Sequence, residues 1–300
     1  MNSNVFYEHF CEEKLLRNAN MSEYTSFKVG GAADLMVMPS NISDIRQAIS
    51  LCKSNAIPYF VMGKGSNVLV KDAGFRGVII NLSKGFEQIE QVDEYVVKAE
   101  AGVSLAKLAA FVADASLEGL EFASGIPGSL GGALYMNAGA YDYDMSGVVL
   151  SAELIDEDAN VLMMQASEMA LGYRTSVFHG GKYIIANCTL KLRLGAKEAI
   201  KAKMLELNNR RKVSQPLELP SAGSTFKRPP GYYAAKLIDD AGLKGFSVGG
   251  AMVSDKHAGF VVNYNNATAS DILALMDYVK KDVYEKFGVV LVPEVEVLGE

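Results

Sequence analysis

The chain has 300 residues, 49% hydrophobic and 21% charged, the composition of a globular enzyme with more chain than one core usually organises. Its formal charge of -6 speaks against a nucleic-acid binder, which needs a basic face to neutralise phosphates; a local basic pocket for one small anion stays open. Cys11, Cys52 and Cys188 lie far apart, so neither a disulfide framework nor a cysteine zinc site is indicated, and a reducing compartment fits.

The opening segment MNSNVFYEHFCEEKLL has no basic stretch leading into an apolar one, so no secretory signal is expected and the chain reads as cytoplasmic. Ala32 to Pro39 is a strand candidate with Asp34 inside it. Ile42, Ile45, Ile49 and Cys52 then recur at helical spacing. IPYFVM reads as a buried strand, and the loop Gly63-Lys64-Gly65-Ser66-Asn67 leads from it into the strand VLV. GVII is a further short strand, two hairpin-like strands follow, and a helix opens at Ser104 with Leu105, Leu108, Phe111 and Val112 on one face.

From Phe122 to Tyr141 no residue is charged, a length that would span a bilayer. Five glycines with Pro127 and Asn137 make a lipid-facing helix implausible, so this is read as a buried or ligand-facing loop before a short helix in ALYMNAGA. VVLSAELID and NVLMMQ form a hairpin through the acidic turn Asp156–Asn160, YIIANCTLKLRL is a long strand, and a charged helix runs from about Ala196 to Lys212. The remainder is a smaller α+β unit. A helix starts near Thr268, with Asp271 completing a capping box, and carries Ile272, Met276, Val279, Val283 and Phe287 towards Gly288. The final strand, VVLVPEVEVL, is interrupted by Pro293 beside Glu294.

Chemistry is carried by a few short segments. Glycines in Gly63–Asn67 allow backbone N–H groups to turn inward as an anion nest, or serve only a tight turn. It is no Rossmann fingerprint, since Val68 stands at the third glycine position and a strand follows. The cluster Gly125-Ile126-Pro127-Gly128-Ser129-Leu130-Gly131-Gly132 precedes a helix, whose N-terminal amides favour a diphosphate; the plain alternative is a packing turn. Ser224, beside Lys227 and Arg228, could donate a proton or be an ordinary loop serine. Arg174 reads equally as a surface residue, and Glu294 as a carboxylate on a solvent face of its strand. His9, His179 and His257 are scattered, so no metal site is expected.

Read together, TSFKVGGAA, GKGSNVLV, GIPGSLGGALYMNAGAY, LGYRTSVF, PSAGSTFKRP, KHAGFVVN and PEVEVLG resemble, in order and over nearly the whole chain, the UDP-N-acetylenolpyruvoylglucosamine reductase (MurB) family. The short link after YRTSVF is similar to its type II branch. The resemblance implies an α+β chain: an FAD-binding fold of the vanillyl-alcohol oxidase (PCMH) type in two α+β subdomains, over 1–82 and 83–203, then a smaller C-terminal α+β substrate-binding domain over 204–300. It also implies non-covalent FAD, held by Gly63, Lys64, Gly65, Ser66 and Asn67 and by Gly125, Ile126, Pro127, Gly128, Ser129 and Gly132, with NADPH as electron donor. The implied reaction converts UDP-N-acetylglucosamine enolpyruvate to UDP-N-acetylmuramate in peptidoglycan precursor synthesis. Hydride passes from flavin N5 to the vinyl terminus, Ser224 protonates the adjacent carbon, and Arg174 and Glu294 stabilise the charge developing at the carboxylate. Lys212 and His257 would meet the substrate, though His257 could equally be a packed structural residue. The chain departs from the family pattern at Tyr24, Asp142, Val292 and Glu296. Another FAD-dependent oxidoreductase of this fold, or a non-catalytic flavin-binding module, would keep the glycine loops without reason to keep Ser224, Arg174 and Glu294.

Overall fold

The computed structural model describes residues 4–300, so the first three residues of the N-terminal segment lie outside it. The helix Ile42–Ser54 starts where expected because the Asn41 side chain accepts the Asp44 amide at its N-terminus. Ile45, Ala48, Ile49 and Cys52 form its buried stripe. Ser104 caps the helix Leu105–Asp114 in the same way through the Lys107 amide. The strands Leu15–Asn20, Ala32–Val37, Phe75–Asn81 and Tyr59–Met62 form one sheet in that order, with Tyr59–Met62 running parallel to Phe75–Asn81. A second sheet of five antiparallel strands runs Val161–Gln165, Val149–Asp156, Tyr183–Lys191, Val96–Glu100, Ile89–Asp93.

The chain divides into two discontinuous units rather than the three consecutive stretches expected. One comprises the chain up to Arg17, Leu35–Lys64 and Gly77–Arg211; the other comprises Asn18–Asp34, Gly65–Arg76 and Lys212–Glu300. Two short N-terminal segments join the C-terminal unit because they fill its core. Phe27, Val29 and Leu69 are buried in one cluster with Leu237, Ile272 and Val283, and Val68–Val70 pairs in parallel with Glu296–Leu298. Pairing across more than two hundred residues leaves no local trace in a sequence.

In the second unit the helix Ala269–Phe287 has the expected capping box between Thr268 and Asp271 and ends at Gly288 with φ 67°. Asp72 reinforces its start by accepting the Ala269 and Ser270 amides at 2.8 and 2.9 Å. Phe287 departs from the expected apolar face and is 39% exposed, since it falls in the last turn. The final strand is also shorter than read, only Glu296–Leu298; Phe226 and Pro293 form an isolated bridge before it. Pro293 supplies no N–H and needs none in that bridge, whose bonds are made by Glu294 N–H to Thr225 and Lys227 N–H to Val292 on either side. Among the described residues no helix is long and apolar enough to cross a membrane.

Candidate functional site

In the second unit the polypeptide around Ser224 is organised by its neighbour. Thr225 is fully buried. Its amide donates to the Gly259 carbonyl at 2.8 Å, and its hydroxyl accepts the Val261 amide at 2.9 Å. Its own carbonyl accepts the Glu294 amide at 2.9 Å, and one rung further Lys227 N–H donates to the Val292 carbonyl at 2.8 Å. Ser224 is therefore one residue from the rung that holds Glu294, and the PSAGSTF, KHAGF and PEV segments meet on Thr225. Gly223, at φ 77°, takes the left-handed turn that leads into the exposed Ser224. Glu294 is half-buried and lies just before the strand rather than inside it.

The other two C-terminal candidates differ. Lys212 is exposed, and its carbonyl accepts Lys256 Nζ at 2.9 Å. His257 is half-buried, and Nδ1 accepts the Gly259 amide at 3.2 Å. Its ring meets Phe260 edge-on at 5.0 Å, and burial pushes its pKa down. These contacts support the structural reading of His257.

In the first unit Arg174 is held against the second glycine-rich segment. Its guanidinium donates to the Gly139 carbonyl at 3.2 Å and reaches the Asn137 carbonyl at 3.5 Å. The Asn137 side chain in turn donates to the Gly172 carbonyl at 3.0 Å. Ser176 secures the same turn by donating to the Tyr135 carbonyl at 2.6 Å. Arg174, Asn137, Tyr141 and Asp142 all have positive φ, between 41° and 66°. A non-glycine residue in this region costs about 1–2 kcal/mol, and such outliers concentrate at functional sites.

The glycine loops can be tested against a phosphate-bearing cofactor. Among the described residues no acceptor takes the amides of Lys64, Gly65, Ser66 or Asn67, and Gly65 has φ 62°. A Cβ on Gly63 would lie 1.9 Å from Ser129 Oγ, so glycine is required where the two loops touch. In the second loop, the first amides of the helix Leu130–Tyr135 are already engaged: Leu130 donates to Val103 and Gly131 to Ala101, both at 2.8 Å. Gly132 faces its cap, Ser129 Oγ, at 3.5 Å. Ile126 donates to Ala123 at 3.0 Å. The donors this loop retains are therefore the amides of Gly125, Gly128 and Ser129 rather than a bare helix end. Both loops thus fit a polyphosphate by their open N–H groups, the first more fully.

Residues 33–165 match the FAD binding domain, and residues 215–298 match the C-terminal domain of UDP-N-acetylenolpyruvoylglucosamine reductase. The reductase of Clostridium botulinum (strain Eklund 17B / Type B) is 49% identical over 296 residues, covering 99% of this chain and 97% of that protein. The chain belongs to the UDP-N-acetylenolpyruvoylglucosamine reductase family. The reductase of Caldanaerobacter subterraneus subsp. tengcongensis is likewise 49% identical, over 96% of this chain and 95% of that one. The crystal structure of the Thermus caldophilus enzyme superposes with a TM-score of 0.81 at 35% identity, over 95% of this chain and 98% of that one. A 4-ethylphenol oxidase from Gulosibacter chungangensis shares the fold alone, at TM-score 0.50 and 19% identity over 63% of this chain and 42% of that one. The fold class is α+β, an FAD-binding fold with the reductase family's C-terminal domain.

The positions that depart from the family pattern have local accounts. Asp142 stands at φ 66°, where glycine would sit without strain. Tyr24 closes the short 3-10 helix Met21–Glu23. Val292 is 53% exposed, and burial pushes the Glu296 carboxyl up. Sequence reading missed Thr225 and Asn137, although both lie inside quoted motifs. Their role is to hold backbone, and side-chain chemistry gives no sign of it.

Proposed function

We propose that this chain reduces UDP-N-acetylglucosamine enolpyruvate to UDP-N-acetylmuramate for peptidoglycan synthesis, in the cytoplasm, with Ser224 as proton donor. The observation that carries the assignment is the Thr225 rung, which holds Glu294 by its amide one residue from an exposed Ser224 hydroxyl. The two glycine loops would hold FAD, which, when bound and reduced by NADPH, would supply the hydride for the vinyl terminus of the substrate. The residues of this chain do the rest. Ser224 delivers a proton to the carbon bearing the carboxylate, where geometry must compensate for a weakly acidic hydroxyl. Arg174, its guanidinium oriented by the Gly139 and Asn137 carbonyls, offsets negative charge building on that carboxylate. Glu294 directs a hydrogen bond to the same group. Lys212, exposed at the end of its helix, is suited to the diphosphate of the substrate.

The test separates the two half-reactions under anaerobic conditions. Wild-type protein is expected to be yellow, to bleach with NADPH, and to regain its oxidised spectrum when the enolpyruvyl substrate is added. Ser224→Ala should bleach normally and recover about 10²–10⁴-fold more slowly, the span attributed to one positioned acid. Equal loss of both half-reactions would remove Ser224 from the role, and protein that takes up no FAD would remove the whole assignment.

A further inference from the structure

The first glycine loop does more than present amides. Asn67, its last residue, donates from its side-chain amide to the Glu294 carbonyl at 3.0 Å, and its own carbonyl accepts the Glu296 amide at 2.9 Å. Glu294 is thus gripped from both sides, by Asn67 at its carbonyl and by Thr225 at its amide. The strand Val68–Val70 that follows Asn67 continues the same parallel pairing, with Glu296 opposite Val68. A second tie secures the loop: Ser26 N–H donates to the Gly65 carbonyl at 3.1 Å. Asn263, in the KHAGFVVN segment, in turn donates to the Phe27 carbonyl at 3.1 Å and through its own amide to Pro220 at 2.9 Å. The loop expected to hold the cofactor and the segment carrying Glu294 are therefore one hydrogen-bonded piece of backbone.

We propose that Asn67 is a positioning residue for the proton-transfer half-reaction, setting Glu294 from the loop that carries the cofactor. A purely cofactor-binding Asn67 would have no reason to aim its side-chain amide at the backbone of residue 294. Two opposed hydrogen bonds fix the backbone of Glu294 and so the point from which its side chain starts, and displacement by about 1 Å is enough to cost on the order of 10²-fold in rate. This inference rests on the proposed reductase reading.

The experiment uses Asn67→Asp, which keeps the shape of the side chain but loses the donor, and Asn67→Ala as a second variant. Holoenzyme is reduced with NADPH and reoxidised by UDP-N-acetylglucosamine enolpyruvate over a range of concentrations. With both rates taken per bound flavin, since the loop also holds the cofactor, the expected result is a bleaching rate close to wild type and a limiting reoxidation rate lowered about 10-fold or more with little change in half-saturating substrate. On a Glu294→Gln background the same substitutions should add little, because both would act through one carboxyl. Unchanged reoxidation, or additive losses on that background, overturns the proposal. Loss of flavin with both half-reactions declining together also overturns it and leaves Asn67 as a cofactor ligand alone. Failure of the wild-type protein to reoxidise would instead defeat the reductase reading, so the two failures are distinguishable.

Discussion

The two glycine-rich loops look alike in sequence and are built on opposite plans. Gly63–Asn67 leaves a run of amides without acceptors among the described residues, and its first glycine, Gly63, is sterically enforced by Ser129. Gly125–Gly132 instead uses two of its glycines for close packing. A Cβ on Gly131 would come within 2.8 Å of Ala101 Cβ, and one on Gly125 within 2.3 Å of Asn208 Oδ1. Glycine content by itself therefore reports room for backbone, and only the hydrogen-bond ledger shows whether that room is kept for a ligand.

Substitutions in these loops can break that distinction. Gly63→Ala should have the largest effect, because its Cβ would meet both Oγ and Cβ of Ser129, at 1.9 and 2.8 Å. Overpacking of this kind costs about 1–3 kcal/mol, and flavin content of the purified protein should fall, with recovery in the double variant Gly63→Ala, Ser129→Gly. Undiminished flavin in the single variant would refute the enforced contact. Gly131→Ala should lower the melting temperature more than it lowers flavin content, since it strikes Ala101 and its amide is already used. Gly132→Ala is the sharpest control: its Cβ would find only Ser129 Oγ at 3.5 Å. Inside a helix this change should stabilise the protein by about 0.5–1 kcal/mol. Weaker FAD binding in that otherwise stabilised variant would mean that ligand backs directly onto Gly132.

The smallest effect belongs to Asp72, outside both loops. Burial raises its pKa, but hydrogen bonds from the Ser270 hydroxyl and the Ala269 and Ser270 amides outweigh that and hold it below the usual carboxylate range. A folded value below the unfolded one stabilises fully above the unfolded value, and the benefit is lost as pH falls through the folded value. Asp72→Asn should therefore lower the melting temperature at neutral pH and converge with wild type in strong acid. Parallel curves across that range would show that charge at the helix start contributes nothing.

Local signals in the sequence located most elements of the first unit. The spacing of Ile42, Ile45, Ile49 and Cys52 announces one helix and Ser104 the next, and the acidic turn Asp156–Asn160 marks the hairpin of Val149–Asp156 and Val161–Gln165. The same was true of the capping box at Thr268 and of the order of motifs that placed the chain in its family. The small sheet Ser247–Val248, Ala251–Val253, Val261–Asn263 and the helix Ala234–Asp240 were not individually legible, since such short elements are stabilised by the core they cover and not by their own periodicity.

Motif order thus placed the chain in its enzyme family by sequence alone, and caps and periodicity placed its main helices. Tertiary structure alone decided that residues 18–34 and 65–76 belong with the C-terminal unit, that Thr225 and Asn67 clamp the backbone of Glu294, and that the helix after the second glycine loop has its leading amides already spoken for. The reason is physical: helix caps and hydrophobic periodicity act between neighbours in the chain, whereas a backbone carbonyl accepts from any donor the fold brings to it, and every residue carries one.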